Sequence, residues 1–574
     1  MLKKCNLAAI TIVLIAAPHV YSASINERNG FRRVLLISID GMHAADYENC
    51  VAANTCPNLA ALGRTGINYT RTSTSKPSDS FPGLMALVTG GTPKLVGAFY
   101  DVAYDRVFAP PSKSTGNGVF AGNCTPNTPN GTTTEYEEGV DINQALLNGG
   151  APGAALTEGG VAAIDPTRLP RDPYKNCAPV YPWNFIRANT IYGVIHAAHG
   201  YTAWSDKHPV YAAVSGPTGT STPGNVDDYY SPEINSLVVG LPKVMLPNGT
   251  SCAQILDPDQ TGSWTDSFKN IQCYDTLKVN AIINEIDGKT HNGARAQVPN
   301  LFGMNFQAVS VGQKLIEKHA DGTKTKGGYK DAAATPSDAL LDEIEFVDAS
   351  IGKMVTELKN QGLMESTLVI ITAKHGQSPI DPNRFKEVGK GITTTPADVL
   401  CPGPGACYYL PPPEDPNTPD QGGLSAIGPT QDDISLLWFK PGLTHTDLLN
   451  AVGLLETNAD AAGIGQIFYG PSLTTMFNDP ANDSRTPDII VQPYTGVIYT
   501  GSSKKQEEHG GFAHDDTNVM MLLSNPRFEP STITAFVETA QVAPTILQAL
   551  GLDPGNLDAV QKEGTPVLPG TNFK

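Results

Sequence analysis

Short apolar runs alternate with longer amphipathic stretches along most of this chain from about residue 33 onward. The apolar runs predict strands at 33–39, 201–205, 301–306, 367–373, 434–439, 487–492 and 518–523. The amphipathic stretches predict helices at 57–65, 81–89, 187–199, 336–360, 445–456 and 538–550. Continuous apolar strands separated by helices are typical of a parallel sheet that helices cover on both faces. The pattern therefore predicts an α/β fold with a mostly parallel central sheet.

Three irregular stretches interrupt this rhythm, at 105–185, 215–275 and 395–430. The first is rich in Gly, Pro, Asn and Thr, and the last contains three consecutive prolines. Each stretch also contains two cysteines. Long segments without secondary structure are uncommon inside compact domains unless they carry function. We interpret the three stretches as insertions around one core, and we expect a single domain over residues 24–574.

The first 23 residues have the order of a secretory signal peptide. Lys3 and Lys4 precede an apolar segment at 7–17, and the small residues Ser22 and Ala23 follow it. The apolar segment is too short to cross a bilayer. We expect residues 1–23 to be removed and the protein to be secreted or periplasmic; an uncleaved membrane anchor is the alternative.

The cysteine count supports export. Nine cysteines, less Cys5 in the leader, leave an even number, and cysteines in exported chains form disulfides. Eight cysteines allow 105 pairings. Nearness in sequence favours Cys50–Cys56, Cys124–Cys177, Cys252–Cys273 and Cys401–Cys407.

The charge balance excludes one class of partner. The chain has 39 Lys and Arg against 57 Asp and Glu, a formal net charge of −18. A general nucleic-acid-binding protein needs a basic surface for the phosphate backbone. We therefore expect no nucleic-acid partner, and no membrane association of the mature protein; the oligomeric state stays open.

Four polar residues stand where the pattern predicts a site. Asp40 follows an apolar strand, Ser80 begins an apolar helix, His375 follows a second strand, and His509 lies in a late His-Gly-Gly segment. Functional residues collect at the carboxyl ends of parallel strands. A serine hydroxyl becomes nucleophilic where a helix N-terminus or a cation stabilises its alkoxide. Carboxylate oxygen and imidazole nitrogen suit zinc. The set predicts metal-assisted phosphoryl or sulfuryl transfer.

Longer motifs around these residues resemble a known family. Ser80-Phe81-Pro82 is followed by a Leu-Val-Thr-Gly segment at 87–90; a Val-Asp-Ala-Ser-Ile-Gly segment at 347–352 precedes the Lys-His strand, and the closing segment 539–552 matches as well. These motifs resemble the alkaline phosphatase superfamily in its type I phosphodiesterase/nucleotide pyrophosphatase branch, over most of 33–110, 300–376 and 485–552. The resemblance implies an alkaline-phosphatase-like three-layer sandwich.

The resemblance also implies residue roles. Ser80 stands at the position of the nucleophile, which is usually Thr in this branch, and is implied to contact the metal. Asp40, His375 and His509 stand at positions of metal ligands. A divalent metal, most simply one zinc ion per chain, is the implied cofactor.

The chain departs from the family pattern at several positions. Lys374 stands where the family has a metal-binding Asp, and Asp101 stands where it has an Asn that contacts phosphate. Gln313 aligns with a His ligand, and Gln307 lies in the same region. A complete two-zinc site is therefore not expected. Lys374 and Asp101 become candidate substrate-binding residues, and Gln307 and Gln313 become candidate additional ligands.

Two more segments add candidates. Lys207 and His208 resemble the Gly-Lys-x-His region of sulfatases, so both are expected to face an oxyanion of the substrate. His514 lies close after His509 and is a candidate ligand, although a capped turn before the predicted strand at 518–523 is the favoured explanation.

The sequence thus predicts an exported, metal-assisted hydrolase of phosphate mono- or diesters, which acts on a small-molecule phosphoester through a covalent Ser80 intermediate. A sulfatase or phosphonate hydrolase of the same superfamily is one alternative, because Lys374 and Lys207 add positive charge. The lack of a Cys in the nucleophile motif weighs against an ordinary sulfatase. A catalytically inactive binding protein on this fold is the other alternative.

Overall fold

The computed structural model describes residues 30–115, 119–136, 160–234, 241, 243–253, 264–389, 394–402, 406–409, 430–571 and 573. The predicted signal peptide at 1–23 lies outside these residues, as do parts of the three predicted insertions.

The strands are short except in the central sheet. In chain order they are β1 (Arg33–Ile39), β2 (Gly66–Tyr69), β3 (Thr72–Ser73), β4 (Val102–Asp105), β5 (Thr132–Glu135), β6 (Arg171–Asp172), β7 (Ala178–Pro179), β8 (Ala203–Ser205), β9 (Asp228–Tyr230), β10 (Leu301–Phe306), β11 (Ile316–Lys318), β12 (Lys324–Lys326), β13 (Thr367–Thr372), β14 (Lys386–Glu387), β15 (Thr430–Gln431), β16 (Ser435–Leu437), β17 (Ile464–Tyr469), β18 (Ile489–Pro493), β19 (Val497–Ile498), β20 (Asn518–Val519), β21 (Leu522–Ser524), β22 (Ser531–Ile533) and β23 (Val537–Glu538).

The helices range from single turns to more than six turns. In chain order they are α1 (Ala44–Ala52), α2 (Pro57–Gly63), α3 (Ser80–Thr89), α4 (Pro93–Val96), α5 (Pro182–Phe185), α6 (Ile191–Ala197), α7 (Phe268–Ile286), α8 (Ala308–Lys314), α9 (Asp338–Asn360), α10 (Pro396–Val399), α11 (His445–Thr457), α12 (Ala459–Ala462), α13 (Gly470–Thr474), α14 (His514–Thr517), α15 (Val542–Ala549) and α16 (Asp558–Glu563).

An eight-stranded sheet forms the centre of the fold, in the order β22–β2–β21–β13–β1–β10–β8–β9. The run from β13 to β9 is parallel throughout. β21 is antiparallel to both of its neighbours, β13 and β2. The prediction of a mostly parallel central sheet is confirmed.

Two apolar cores lie on opposite faces of this sheet. Successive side chains of β1 alternate between them: Leu35 and Ile37 belong to one core, and Val34 and Leu36 to the other. The first core includes residues of α7, α8 and α9, and the second includes residues of α3, α6 and α15. Alternation follows from the two-residue period of a strand. The result is the predicted three-layer sandwich.

The register of the parallel strands determines where the polar residues meet. Ile39 of β1 lies beside Phe306 of β10, and Ser38 lies beside Thr372 of β13. Met304 of β10 lies beside Ser205 of β8. The residues that follow these four strands therefore share one edge of the sheet, as the carboxyl-end rule expects.

A second, four-stranded antiparallel sheet has the order β15–β16–β18–β17. It contains the predicted strands at 434–439 and 487–492. Their membership in a second sheet was not predicted, because an apolar run indicates that a strand is buried but not which sheet it joins.

Other element predictions need smaller corrections. The predicted strand at 518–523 is two strands, β20 and β21, which belong to different sheets. α7 was not predicted at all, and it begins within the stretch 215–275 that we interpreted as an insertion. α7 is buried over most of its length, so it lacks the wide polar face that marks an amphipathic helix.

The cysteines pair as sequence proximity predicts. The disulfides are Cys50–Cys56, Cys124–Cys177, Cys252–Cys273 and Cys401–Cys407. The last three lie within the irregular stretches; that these stretches are insertions around one core stays a prediction. No helix within the described ranges combines the length and the apolar character that a bilayer crossing requires.

Candidate active site

The structure brings all four main candidates to one place and adds two lysines. Contacts link Ser80 to Lys207, Lys374 to Asp40, Asp40 to His375 and His375 to His509. His509 in turn contacts Asp79, the residue before Ser80. Lys374 also contacts Asp206, the residue before Lys207. These contacts, with the two pairs of sequence neighbours, form a closed ring at the carboxyl edge of the central sheet.

Ser80 is the first residue of α3. The preceding residue, Asp79, is the N-cap, and its carboxylate accepts a hydrogen bond from the backbone N–H of Phe81 (3.0 Å). The Lys207 ammonium donates to Ser80 Oγ at 3.2 Å. A helix N-terminus and an ammonium both stabilise negative charge on this oxygen. The hydroxyl is thus placed where a helix N-terminus and an ammonium both stabilise its alkoxide.

Asp40 lies at the end of β1 and is fully buried. Its Oδ2 accepts hydrogen bonds from the side-chain amides of Asn305 (3.1 Å) and Gln307 (2.6 Å). Burial raises the pKa of this carboxyl, but the ammonium of Lys374 and the imidazole of His375 outweigh that effect and hold the pKa well below its usual range. Asp40 is therefore ionised at neutral pH.

Lys374 follows β13 and is also fully buried. Its Nζ lies 3.6 Å from Asp40 Oδ2 and 3.5 Å from Asp206 Oδ1. It also lies 4.4 Å from the centre of the Tyr211 ring, which provides a cation–π contact. The ammonium is held between two carboxylates above an aromatic face.

Two imidazoles complete the ring. His375 Nδ1 bonds the carbonyl oxygen of Gly376 (2.8 Å), and Nε2 lies 3.4 Å from Asp40 Oδ2. The ring centres of His375 and His509 are 4.2 Å apart. His509 Nδ1 lies 3.3 Å from Asp79 Oδ1. Each histidine therefore faces a carboxylate.

A buried ion pair supports the amides that contact Asp40. Asp275 of α7 accepts the backbone N–H groups of Gln307 and Ala308, both at 2.8 Å. Lys278 contacts Asp275 at 2.9 Å and donates to the carbonyl oxygen of Asn305. The turn between β10 and α8 is thus held in place, and with it the two amides.

The other sequence candidates lie at or beyond the edge of this ring. The backbone N–H of Asp101 donates to Asp79 Oδ2 at 3.2 Å, so Asp101 touches the site through the N-cap. His208 bonds Glu233 through Nδ1 (2.8 Å) and stacks on Tyr211 rather than contacting Ser80 in any described contact. His514 is exposed at the start of α14.

Gln313 is not placed as a ligand of this site. Its side-chain amide donates to the carbonyl oxygen of Gly41 (2.8 Å) and to the Tyr329 hydroxyl (2.8 Å), within a separate buried network around His43. Gln307 does reach Asp40, but as a hydrogen-bond donor.

Sequence reasoning missed three members of the site. Asp79 and Asp206 directly precede Ser80 and Lys207, so their positions next to candidates were the available signal. Tyr211 supports Lys374 and lies 5.9 Å from Lys207 Nζ. Nothing in the sequence pattern distinguishes it from a core tyrosine.

The residues around Asp40 do not fit the metal ion that the resemblance implies. Over the ranges that the structure covers, no three His, Cys, Asp or Glu side chains are grouped to hold a metal. The Asp40 oxygen that faces His375 is already contacted by two amides and by Lys374. An ammonium and a divalent cation about 4 Å apart repel by roughly 8 kcal/mol at an effective dielectric constant of about 20.

The ring is almost closed to solvent. Ser80, Asp40 and Lys374 have no exposed surface, whereas Lys207 and His509 are each 8% exposed. Two cavities of about 590 and 450 Å³ are lined by other residues. Access to Ser80 is therefore expected on the side of Lys207 and His509.

Comparison with known proteins places this geometry in context. The model of the family "Type I phosphodiesterase / nucleotide pyrophosphatase" matches residues 34–140 and 316–515, together more than half of the chain. These segments contain Asp40, Ser80, Lys374, His375 and His509. Members of this family use divalent metal ions. No curated protein matches the chain in sequence.

Solved structures share the fold at low identity. A mutant of the alkaline phosphatase PafA has a TM-score of 0.53 and 11% identity, over 91% of this chain and 96% of that chain. An inactive variant of murine ectonucleotide pyrophosphatase/phosphodiesterase 5, in complex with AMP, has a TM-score of 0.51 and 13% identity over the same shares. These similarities confirm the alkaline-phosphatase-like fold.

Proposed function

The chain belongs to the type I phosphodiesterase/nucleotide pyrophosphatase family, a family of hydrolases, and from that premise we propose that it hydrolyses small-molecule phosphate esters through a covalent intermediate on Ser80. The observation that carries the proposal is the position of Ser80 Oγ, at the N-terminus of a ten-residue helix and 3.2 Å from the Lys207 ammonium. Both features favour an alkoxide over a hydroxyl at this atom.

The proposed reaction has two displacement steps. Ser80 passes its hydroxyl proton to a water molecule that enters with the substrate on the side of Lys207 and His509. Its Oγ forms a bond to phosphorus, and the bond from phosphorus to the leaving oxygen breaks. The leaving oxygen takes a proton from water. A water molecule then attacks the phosphoserine, releases phosphate or a phosphate monoester, and restores the Ser80 hydroxyl. Lys207 stabilises the charge on Oγ in both steps.

Nucleotide-like esters are the first substrates to test. The related murine protein was solved with AMP, a phosphate monoester. The two lysines offer ammonium groups to phosphoryl oxygens, and such charge-assisted hydrogen bonds are strong. Both mono- and diesters carry these oxygens, so a substrate screen includes both classes.

The expectation of one zinc ion per chain, on Asp40, Ser80, His375 and His509, stays a prediction from the resemblance. We assign no step to such an ion, because the residues around Asp40 do not fit it. Elemental analysis of the purified protein tests the expectation directly.

We also propose that the protein is exported. Four disulfides support this, because they persist in oxidising compartments. The leader-like pattern at 1–23 lies outside the described residues. Cell fractionation, with N-terminal sequencing of the product, should find the protein outside the cytoplasm and cleaved near Ala23.

The decisive variant is Ser80→Ala. It removes one hydroxyl from a helix start whose N-cap, Asp79, is unchanged, so the fold should survive. Turnover of the best aryl or nucleotide ester in a screen should fall to background. A melting temperature within a few degrees of the wild type is the control. Retention of most wild-type turnover would show that Ser80 is not the nucleophile.

The same screen separates the alternatives. Aryl sulfates and phosphonates belong in it, because the two lysines suit any tetrahedral oxyanion. Faster turnover of aryl sulfates than of phosphate esters would favour a sulfatase. Absence of turnover on every ester, with ligand binding retained, would favour an inactive binding protein.

A further inference from the structure

Lys374 occupies the position next to Asp40 that a metal ion would need. Its Nζ is 3.6 Å from Asp40 Oδ2 and 3.5 Å from Asp206 Oδ1, and the side chain has no exposed surface. Among the described residues, this Nζ has no hydrogen-bond partner. A buried ammonium with unused N–H groups is costly unless charged partners or a bound anion compensate. Two carboxylates supply the first kind of compensation here.

The surroundings are built for a monovalent cation of this size. The Tyr211 ring lies beneath the ammonium at 4.4 Å. Neutral amides of Asn305 and Gln307, rather than further carboxylates, contact Asp40 Oδ2. Metal sites for divalent ions gather several anionic or imidazole donors around one point. Around Asp40 Oδ2 this chain instead places two amide donors and an ammonium beside the one imidazole of His375. The ammonium repels a metal ion, and the amide N–H groups offer it no lone pair.

We propose that Lys374 is the resident cation of the Asp40 site, in place of the metal ion that the family uses, so that this protein does not bind metal at Asp40. The Lys374 ammonium contacts both Asp40 and Asp206, offsets one of their two negative charges, and keeps N–H groups for the oxygens of an incoming anion. Together with Lys207, it presents two ammonium groups to the group that Ser80 attacks. Only this last statement rests on the proposed function.

Metal content is the direct test. The full-length wild-type protein, incubated with excess zinc and then desalted, should carry no stoichiometric zinc by elemental analysis. Its melting temperature should not rise with zinc. Lys374→Asp restores a carboxylate beside Asp40 and His375; this variant should hold about one zinc ion per chain, and zinc should raise its melting temperature.

Two further variants make the test specific. Lys374→Asp combined with His375→Ala should lose the acquired zinc, because one of its ligands is removed. Lys374→Met retains most of the side-chain volume without the charge; it should bind no zinc, and turnover should fall by about 100-fold, the loss typical of one missing electrostatic donor. If the Lys374→Asp variant does not fold, the zinc content and the melting temperature of the wild-type protein still test the proposal.

A wild-type chain that holds stoichiometric zinc, lost together with turnover on chelation, would overturn the inference. So would a folded Lys374→Asp variant that gains no zinc. These results are distinct from failure of the proposed function. If the wild type hydrolyses no ester and yet binds no zinc, the proposed function fails and the assignment of Lys374 stands.

Discussion

At the scale of single residues, the proposed reaction makes Ser80 depend on the ammonium of Lys207. Lys207→Met should lower kcat/KM for the best ester by about 100- to 1,000-fold, because it removes the donor that contacts Oγ. Steady-state kinetics of purified protein measure the effect. Lys175→Met is the matched control, since that side chain is 72% exposed. Equal rates for the two variants would remove Lys207 from the mechanism.

Some residues of the site could be predicted from the sequence, and others could not. Asp40, Ser80, His375 and His509 could be identified because each follows a strand, starts a helix or matches a family motif. Gln313 was misplaced, because alignment assigns a column but not the direction of a side chain. Asp206 and Tyr211 were missed, because their roles depend on where Lys374 reaches, and only the packed structure determines that.

At the scale of elements, the site depends on close contact between α3 and the end of β13. Gly83 of α3 lies against the carbonyl oxygen of Lys374, and a β-carbon there would overlap it. The helix that carries Ser80 can therefore approach the Lys374 backbone only because position 83 has no side chain. This contact fixes the start of α3, and Ser80 with it, relative to Lys374.

Gly83→Ala should consequently lower the free energy of unfolding by about 1–3 kcal/mol, the usual cost of overpacking. It should also reduce turnover, because Ser80 and Lys374 are forced apart. Denaturant unfolding and kinetics measure both effects.

The control is Gly453→Ala in α11, where a β-carbon would meet nothing within 4 Å. That change should stabilise the protein by about 0.5–1 kcal/mol, since alanine favours helix. A Gly83→Ala variant that is as stable and as active as this control would show that the close contact between Gly83 and the Lys374 backbone is not required.

The elements themselves were largely predictable. The strands β1, β8, β10 and β13 and the long helix α9 follow from clear apolar periods, whereas the short strands between them were not predicted. The membership of β16 and β18 in a separate sheet could not be predicted, because strand pairing is determined by long-range contacts that leave no local pattern. α7 was missed for a related reason, since a helix buried on most sides has little periodicity.

At the scale of the whole molecule, buried carboxyls make stability depend on pH. Glu285 of α7 is buried, and neither of its side-chain oxygens has a hydrogen-bond partner among the described residues. Burial, together with the charge of Asp228, raises the pKa of Glu285 well above its ordinary value of 4.5. The folded chain therefore binds this proton more tightly than the unfolded chain does. The contribution of this bound proton to the free energy of unfolding is present at low pH and is lost as the pH rises above 4.5.

Glu285→Gln should remove this loss. At about pH 3.5 or below, one unit under the ordinary pKa of 4.5, the variant and the wild type should have similar free energies of unfolding, because the glutamic acid is then mostly neutral in both states. At about pH 8 the variant should be more stable by at least about 1.4 kcal/mol, the equivalent of one pKa unit. Unfolding curves at both pH values give the difference. A difference that does not change with pH would mean that Glu285 is ionised in the folded chain.

The disulfides give a second prediction at this scale. The mature protein should show no reactive thiol when it is titrated in denaturant without reductant, because all eight cysteines outside the leader are paired. Two or more thiols per chain would contradict the four-disulfide arrangement.

The central claim, hydrolysis through a covalent Ser80 intermediate, is tested most directly by trapping that intermediate. Wild-type protein mixed with its best ester and quenched in acid within the first turnover should yield the Ser80 peptide with one added phosphoryl group by mass spectrometry. The modification should disappear as substrate is exhausted, and Ser80→Ala should never acquire it. Sustained turnover by the wild type, with the Ser80 peptide unmodified at every time point, would contradict the account.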